Sequence, residues 1–190
     1  INAGFRNFFF FFHYMPEVIQ EHFVDGSKLG IKIRYVHEET PLGTAGALSL
    51  LPDAMPDLPM IFVNGDVLTT LDLNKLLSFH NENNPAATIC VRNYEYQVPY
   101  GVIDCDDNKI ISMAEKPVQR FFVNAGVYVL NQKVQRSVES NVHIDMPTLL
   151  NKFIASGEVI NTFPIHEYWL DIGQMDDYLR AQVDIQSLGI

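Results

Sequence analysis

Five consecutive phenylalanines, Phe8 to Phe12, restrict the fold of this chain more than any other feature of its sequence. A run that is apolar at every position, without alternating polar residues, suits a strand covered on both faces, as in a parallel sheet. A box of aromatic rings that stacks on a nucleotide is the alternative, but such rings far more often belong to a core. We therefore expect a buried parallel strand here.

A second apolar run, Met60 to Val63, ends abruptly in Asn64-Gly65-Asp66. Ligands of open α/β sheets bind outside the carboxyl ends of the strands, so Asp66 is placed where a magnesium-bound phosphate can sit. The alternative is that Asp66 only caps the turn before a helix predicted at 72–79.

Strands and helices alternate through this first half of the chain. Pro16 predicts the start of a helix with His22 half-buried on its apolar face, and the residues at 31–36 alternate as a strand. This order is typical of an α/β fold with a parallel sheet.

The turn from Pro41 to Leu48 is rich in small residues and leads into an apolar helix. Gly43 and Gly46, three positions apart, allow the backbone to approach a flat ligand closely, and Thr44 can either cap the helix or bond the edge of a base. The turn is neither the Gly-x-Gly-x-x-Gly fingerprint nor a P-loop, which makes a nicotinamide dehydrogenase a poor choice.

Antiparallel pairing replaces the alternation in the second half. Val102-Ile103-Asp104 and Lys109-Ile110-Ile111 flank a turn at 106–108 and predict a β-hairpin. Asp145 is expected to cap a helix with Leu149 on its apolar face. We expect a second sub-region that lies against the first sheet and forms the other wall of a cleft.

Composition and charge exclude several classes of protein. The 190 residues are 47% hydrophobic with a net charge of -10, which fits one domain and opposes attraction to nucleic acid or to an acidic membrane surface. No stretch approaches the roughly 20 apolar residues of a membrane span, and the first residues show no signal-peptide pattern. Cys90 and Cys105 have neither disulfide nor metal-ligand spacing, so we expect a soluble cytoplasmic protein with reduced thiols.

Five short motifs occur in an order that resembles the sugar-phosphate nucleotidylyltransferases, which make nucleotide-activated sugars. They are Leu42-Gly43-Thr44-Ala45-Gly46, Asn64-Gly65-Asp66, Tyr100-Gly101-Val102, Glu115-Lys116-Pro117 with Val123-Asn124-Ala125-Gly126, and Trp169-Leu170-Asp171-Ile172-Gly173. No single motif is specific, but together they cover most of the chain. Similar proteins include mannose-1-phosphate guanylyltransferases and related enzymes that act on hexose 1-phosphates.

The resemblance implies a Rossmann-like α/β fold, a mixed and mostly parallel sheet between helices, with an antiparallel sugar-binding sub-region. It also implies that a nucleoside triphosphate, with GTP favoured, and a sugar 1-phosphate share one cleft. The residue roles that it implies are nucleotide binding by Glu39, Gly43 and Thr44, magnesium binding by Asp66 and Asp171, sugar binding by Gly101, Glu115 and Asn124, and contact of Lys116 with the sugar phosphate.

Simple chemistry is consistent with these roles. A sugar 1-phosphate is already an anionic nucleophile, so the protein needs only to align the reactants and to neutralise charge. Two carboxylates can hold an octahedral Mg²⁺ that bridges phosphates, and a lysine suits a point-charge contact. The alternatives are a surface ion pair for Glu115-Lys116, a β-bulge at 124–126, a turn residue at Asp171 and a core position for Trp169.

The sequence departs from the family pattern at its beginning. Family members start with a strand and a glycine-rich loop whose arginine and lysine grip the triphosphate, and this sequence has no such segment. We expect residues 1–190 to be one nucleotidyltransferase domain that lacks its first strand and phosphate loop and is inactive alone. The missing strand would lie between the strand at 8–12 and the strand that ends at Asp66.

Two functions from different classes fit these motifs. The first is an enzyme that joins a nucleoside triphosphate and a hexose 1-phosphate, and the second is a non-catalytic regulatory domain that binds a nucleotide sugar. Retention of both Asp66 and Asp171 favours the enzyme. The sequence leaves the base, the sugar and a homo-oligomeric state open.

Overall fold

The chain folds into an α/β structure of ten strands and six α-helices within residues 1–52 and 54–188, the part that the computed structural model describes. In order, the elements are β1 (Asn7–Phe12), α1 (Pro16–Phe23), β2 (Lys32–His37), α2 (Gly43–Gly46), β3 (Met60–Val63), β4 (Val67–Thr69), α3 (Leu73–Asn83), β5 (Ala87–Gln97), β6 (Val102–Asp106), β7 (Lys109–Ala114), β8 (Val118–Leu130), α4 (Gln132–Arg136), α5 (Met146–Ala155), β9 (Ile160–Pro164), β10 (Trp169–Asp171) and α6 (Met175–Leu188). Short 3₁₀ helices cover Ser27–Leu29 and Ala47–Leu50. The predicted α/β class is confirmed.

A four-stranded sheet in the order β3-β8-β5-β9 forms the centre of the molecule. β8 runs antiparallel to both of its neighbours, whereas β5 and β9 are parallel. The mixed sheet was expected, but the parallel share among the described strands is smaller than expected. The reason is that β8 lies between β3 and β5 and makes both of these pairings antiparallel.

The two faces of β8 define the two halves of the core. Every residue from Ala125 to Leu130 is buried, and successive side chains point to opposite faces of a strand. Tyr128 and Leu130 therefore pack with Leu48 and Leu150 on one side, whereas Val127 and Val129 pack with residues such as Leu76 of α3 on the other. A strand covered on both faces thus lies at 125–130.

The phenylalanine strand β1 is less buried than the sequence predicts. Only Phe12 is buried, at 7% exposure, and Phe8 to Phe11 are partly exposed. Within the described residues β1 pairs with β2 alone, in parallel register, and no residue of α1 is buried against it. The prediction of full cover was therefore wrong, and so was the half-buried position of His22, which is exposed.

A buried polar network fastens α3 to the sheet. His80 is 1% exposed, and its Nδ1 and Nε2 lie 2.9 Å from Thr88 Oγ1 and 3.2 Å from Asn131 Oδ1. Asn131 donates from Nδ2 to the Pro85 carbonyl, so its Oδ1 is the atom that faces the imidazole. Nε2 therefore carries the proton, and Nδ1 accepts from the hydroxyl of Thr88.

The predicted hairpin is confirmed as β6 and β7, which pair with each other around a turn at Asp107. Both strands are exposed along their whole length. No helix of the described residues has the length and apolar character that crossing a membrane requires.

Candidate active site

Two carboxylates meet where β4 and β10 pair. Asp66 lies in the turn between β3 and β4, and Asp171 is the last residue of β10, opposite Val67 in the antiparallel register. The Ile172 amide donates to the Asp66 carbonyl over 2.8 Å, which extends the ladder past Asp171. The structure thus brings Asp66 and Asp171 together from positions far apart in the sequence.

The local charge at this pair is strongly negative. Partial removal from water, followed by the charges of Asp66 and Asp177, raises the pKa of Asp171 above its ordinary value. Asp177 lies in the first turn of α6, and no motif in the sequence singled it out. A cation placed between these carboxylates would relieve their mutual repulsion.

Asp72 rather than Asp66 caps the helix that follows. Its carboxylate accepts from the amides of Asn74 and Lys75 at 3.0 Å and 3.2 Å, and α3 begins at Leu73. Asp72 therefore supplies the cap of α3, and the alternative in which Asp66 only caps the turn before this helix stays a prediction.

A β-bulge in β8 supports both carboxylate-bearing segments. One residue of β5, Cys90, faces the three residues at 125–127, and Gly126 has a φ of 69°. The carbonyl of Gly126 accepts from the Asn64 amide over 2.8 Å. The carbonyl of Ala125 accepts from the indole Nε1 of Trp169, also over 2.8 Å. The bulge that the sequence offered as an alternative is present, and it holds the turn before Asp66 and the strand before Asp171.

Asn124 holds the bulge in shape. Its Oδ1 accepts from the Gly126 amide at 3.0 Å, and its Nδ2 donates to the hydroxyl of Tyr128 at 2.6 Å. A primary amide has two donor hydrogens and two acceptor lone pairs, so half of this capacity is used internally. The other half is left for a ligand, and the sugar contact of Asn124 stays a prediction.

The turn at 42–46 is tied to the start of α5 by reciprocal bonds. The Thr44 amide donates to Asp145 Oδ1 over 3.2 Å, and Thr44 Oγ1 accepts from the Met146 amide over 2.8 Å. Thr44 therefore caps α5, whereas Asp145, which was expected to do so, makes no side-chain cap. Sequence reasoning missed this pairing because 101 positions separate the two residues.

The remaining predicted nucleotide residue, Glu39, lies exposed in the segment after β2. Its neighbour Glu38 is the one that fixes the turn, because its Oε2 accepts from the Leu42 amide over 2.9 Å. Glu38 was not singled out from the sequence, since adjacent acidic residues look alike there.

Two of the predicted sugar-binding residues are neighbours. A Cβ added at Gly101 would lie 3.2 Å from Glu115 Oε2, so a glycine leaves room for this carboxylate. Lys116 follows with a φ of 44°, a left-handed conformation that is unfavourable for a lysine, and its carbonyl accepts from Gln97 Nε2 at 3.4 Å. Backbone strain of this kind concentrates at functional sites.

Asp66 and Asp171 are the residues that could hold a divalent metal. Within residues 1–52 and 54–188, no group of three or more His, Cys, Asp or Glu side chains is arranged as a metal site. Two carboxylates nevertheless fit Mg²⁺, which keeps several waters and binds through one or two carboxylates together with substrate phosphates. The donor set therefore fits this ion.

Comparison with known proteins defines the class. The family model described as nucleotidyl transferase matches residues 1–187. The chain belongs to the nucleotidyl transferase family.

Among curated relatives, the chain is similar to the mannose-1-phosphate guanyltransferase of Yarrowia lipolytica, with 34% identity over 190 residues, 94% of this chain and 51% of that protein. It is 31% identical over 180 residues to the mannose-1-phosphate guanylyltransferase of Mycobacterium tuberculosis, covering 90% of this chain and 49% of that protein. The chain thus spans about half the length of these relatives.

Solved structures share the fold. The crystal structure of HddC from Yersinia pseudotuberculosis matches with a TM-score of 0.72 and 24% identity, over 97% of this chain and 80% of that one. A second structure of HddC, complexed with GMP-PN, matches with a TM-score of 0.71 and 23% identity, again over 97% of this chain and 80% of that one.

Proposed function

We propose that this protein transfers a nucleotidyl group, with GTP as the favoured donor, to a hexose 1-phosphate and releases pyrophosphate. The observation that carries this proposal is the approach of Asp66 and Asp171 at the β4–β10 pairing. Relatives at 31–34% identity that are named mannose-1-phosphate guanyltransferase or guanylyltransferase support the reaction class and the base.

The carboxylates of Asp66 and Asp171 would hold Mg²⁺. When bound, this ion neutralises charge on the transferring phosphate and on the departing pyrophosphate. The sugar 1-phosphate oxygen attacks the α-phosphorus, the bond to the β-phosphate breaks, and the electron pair leaves with pyrophosphate. No protein nucleophile is required, so the residues of the chain align the reactants.

The turn at 42–46 is the proposed base site. Its backbone is fixed by the contacts of Thr44 with α5, and Gly43, with a φ of 76°, has no side chain that would keep a planar ligand from the main chain. Glu39 lies in the segment that leads into this turn and is exposed, so it is available to accept from the base edge.

The sugar site is proposed on the other wall, with hydroxyl groups bound by the Glu115 carboxylate, the unused half of the Asn124 amide and the backbone at Gly101. Lys116 supplies a positive charge for the sugar phosphate. In a chain with 23 acidic and 13 basic residues, a local cation is needed for an anionic substrate to approach.

The proposed enzyme has one more strand between β1 and β3. These strands carry Phe11 and Phe62, whose ring centroids are 6.1 Å apart, yet within the described residues β1 pairs with β2 alone and β3 with β8 alone. β1 and β3 each have one edge without a partner strand within the described residues. The backbone N–H and C=O groups on these edges therefore make no ladder hydrogen bonds. A strand there, followed by a phosphate-binding loop, completes the domain.

The proposed location is the cytoplasm, where thiols stay reduced. Cys90 and Cys105 are both free, and burial followed by the charge of Glu167 raises the pKa of the Cys90 thiol to about 12. A buried thiol with a raised pKa is unreactive toward thiol–disulfide exchange.

The test is pyrophosphate release with four nucleoside triphosphates and glucose, mannose or glucosamine 1-phosphate in the presence of Mg²⁺. It compares residues 1–190 with a chain extended at its N-terminus by the strand and loop. We expect the extended chain to prefer GTP with one sugar phosphate and the shorter chain to be inactive. Equal activity of residues 1–190 and the extended chain refutes the proposal that residues 1–190 are an incomplete domain. No release by a folded extended chain that binds a nucleotide sugar refutes the enzyme and supports a regulatory binding domain.

A further inference from the structure

We infer that Arg92 and Trp169 are positioning residues that set where Asp171 lies relative to Asp66. This inference rests on the proposed function, since it concerns the same pair of carboxylates. The juxtaposition behind it is a chain of contacts from β5, through the indole, to the bulge in β8.

Arg92 makes two contacts with the segment that leads into β10. Its Nη1 donates to the Glu167 carbonyl over 2.9 Å, and its Cζ lies 5.9 Å from the centroid of the Trp169 ring. Arg92 itself is fixed in the central part of β5, opposite Val123 in the register with β8. A planar guanidinium can donate and stack at the same time, so it fixes both the backbone entering β10 and the plane of the indole.

Trp169 transmits this position to Asp171. Residues two apart share a face of a strand, so Trp169 and Asp171 lie on the same face of β10. The indole Nε1 donates to the Ala125 carbonyl, which the bulge releases from the sheet ladder. Loss of this bond would remove the contact that holds β10 against the bulge.

The two bulge carbonyls therefore act as a pair. That of Ala125 anchors the strand that ends in Asp171, and that of Gly126 anchors the turn that ends in Asp66. Both carbonyls belong to adjacent residues of one buried strand. The two bonds that they accept therefore set the separation of the carboxylates. Groups that hydrogen-bond metal ligands directly typically contribute 10- to 100-fold to metal affinity or activity, and we expect the lower end of this range for residues that act through the backbone.

Trp169 is the only tryptophan of the chain, so its fluorescence reports directly on this contact. Fluorescence and Mn²⁺ binding are measured on residues 1–190, in which Trp169 is the single tryptophan, and activity is measured on the N-terminally extended chain, each with Arg92→Met and Arg92→Lys variants. Arg34→Met is the matched control, because Arg34 also lies over an aromatic ring, 5.6 Å from the centroid of Phe9, on a different sheet. Circular dichroism checks that each variant is folded.

In Arg92→Met we expect acrylamide to quench Trp169 more strongly without any metal, and Mn²⁺ to bind about tenfold more weakly. The Mn²⁺ concentration for half-maximal activity should rise, while the KM for the nucleotide stays within about twofold of the wild type. Arg92→Lys keeps the positive charge but loses the planar guanidinium that stacks on the indole. Its quenching and its Mn²⁺ affinity should therefore lie between those of the wild type and those of Arg92→Met.

Quenching and Mn²⁺ affinity that match the Arg34→Met control in a folded Arg92→Met protein overturn the inference. If Arg92→Met does not fold, the comparison is made with Arg92→Lys, and wild-type values there also overturn it. The proposed function fails separately: a wild type without transferase activity refutes the function, whereas the quenching comparison still decides the role of Arg92.

Discussion

At Gly43, the absence of a side chain decides how closely two loops approach. A Cβ at this position would lie 2.8 Å from Asp145 Oδ1 and 2.8 Å from the Ile144 carbonyl, both closer than side chains tolerate. Its φ of 76° is also left-handed. The close approach is what allows Thr44 to exchange hydrogen bonds with the start of α5.

We predict that Gly43→Ala destabilises the protein and raises the KM for the nucleotide several-fold. The left-handed backbone alone costs about 1–2 kcal/mol, and displacement of Asp145 adds to it. The measurements are chemical denaturation and steady-state kinetics. Gly157→Ala is the control, because Gly157 has a φ of 84° with nothing within 4 Å of an added Cβ. Equal effects of the two substitutions would show that the contact with α5 has no role.

His80 gives the protein a pH dependence of stability. Burial lowers the pKa of His80 below its ordinary value of 6.5, although the bond to Asn131 opposes the shift. The unfolded chain therefore binds a proton more readily than the folded one. The stability contributed by neutral His80 is complete above pH 6.5 and is lost as the pH falls below that value.

We predict that the free energy of unfolding falls by about 1 kcal/mol more in the wild type than in His80→Gln between about pH 7.5 and about pH 5.5. Urea denaturation across this range measures it. His143→Gln, at an exposed position, should show the same change of the unfolding free energy with pH as the wild type. A slope in His80→Gln equal to that of the wild type would mean that His80 does not titrate on unfolding.

At the scale of elements, the bulge in β8 shows what a sequence reveals and what it conceals. Asn124-Ala125-Gly126 interrupts an apolar run, and this interruption by itself indicates an irregular strand. The partners of the freed carbonyls, Asn64 and Trp169, were not predictable, because the bond from Trp169 spans 44 positions of the chain. Local chemistry predicts the bulge, and only the fold supplies its partners.

The strand β1 illustrates the opposite case. Five phenylalanines predict burial on both faces, and the structure gives partial burial of four of them. An apolar run favours burial on both faces, but the burial that results depends on which elements cover the strand, and the run does not identify those elements. The same limit applies to Asp145, whose side chain bonds a distant turn instead of its own helix.

We predict that Asp72→Ala lowers the free energy of unfolding by about 1 kcal/mol, because two amides at the start of α3 lose their acceptor. Its ion pair with Lys75, at 3.8 Å between exposed groups, contributes little. Asp66→Ala should leave the stability within about 0.5 kcal/mol of the wild type. Thermal denaturation of both alanine variants measures this. A loss in Asp66→Ala equal to that in Asp72→Ala would show that Asp66 acts as a cap.

At the scale of the whole molecule, β4 and β10 bring together motifs that are 105 positions apart, since Asp66 and Asp171 end up side by side. The order of the five motifs predicted the family from sequence alone, and the match over residues 1–187 confirms it. Under the proposed function, the negative net charge and the paired carboxylates mean that a cation is required before two phosphorylated substrates can share one cleft.

In the proposed function, Asp66 and Asp171 act jointly as the metal-binding carboxylates of a nucleotidyl transfer. The most direct measurement is pyrophosphate release by the N-terminally extended chain and its Asp66→Asn and Asp171→Asn variants, with exposed Glu82→Gln as a charge-matched control. We predict a loss of about 100-fold or more in each aspartate variant, with little further loss in the double variant and wild-type rates in the control. Wild-type rates in either folded aspartate variant would contradict the claim.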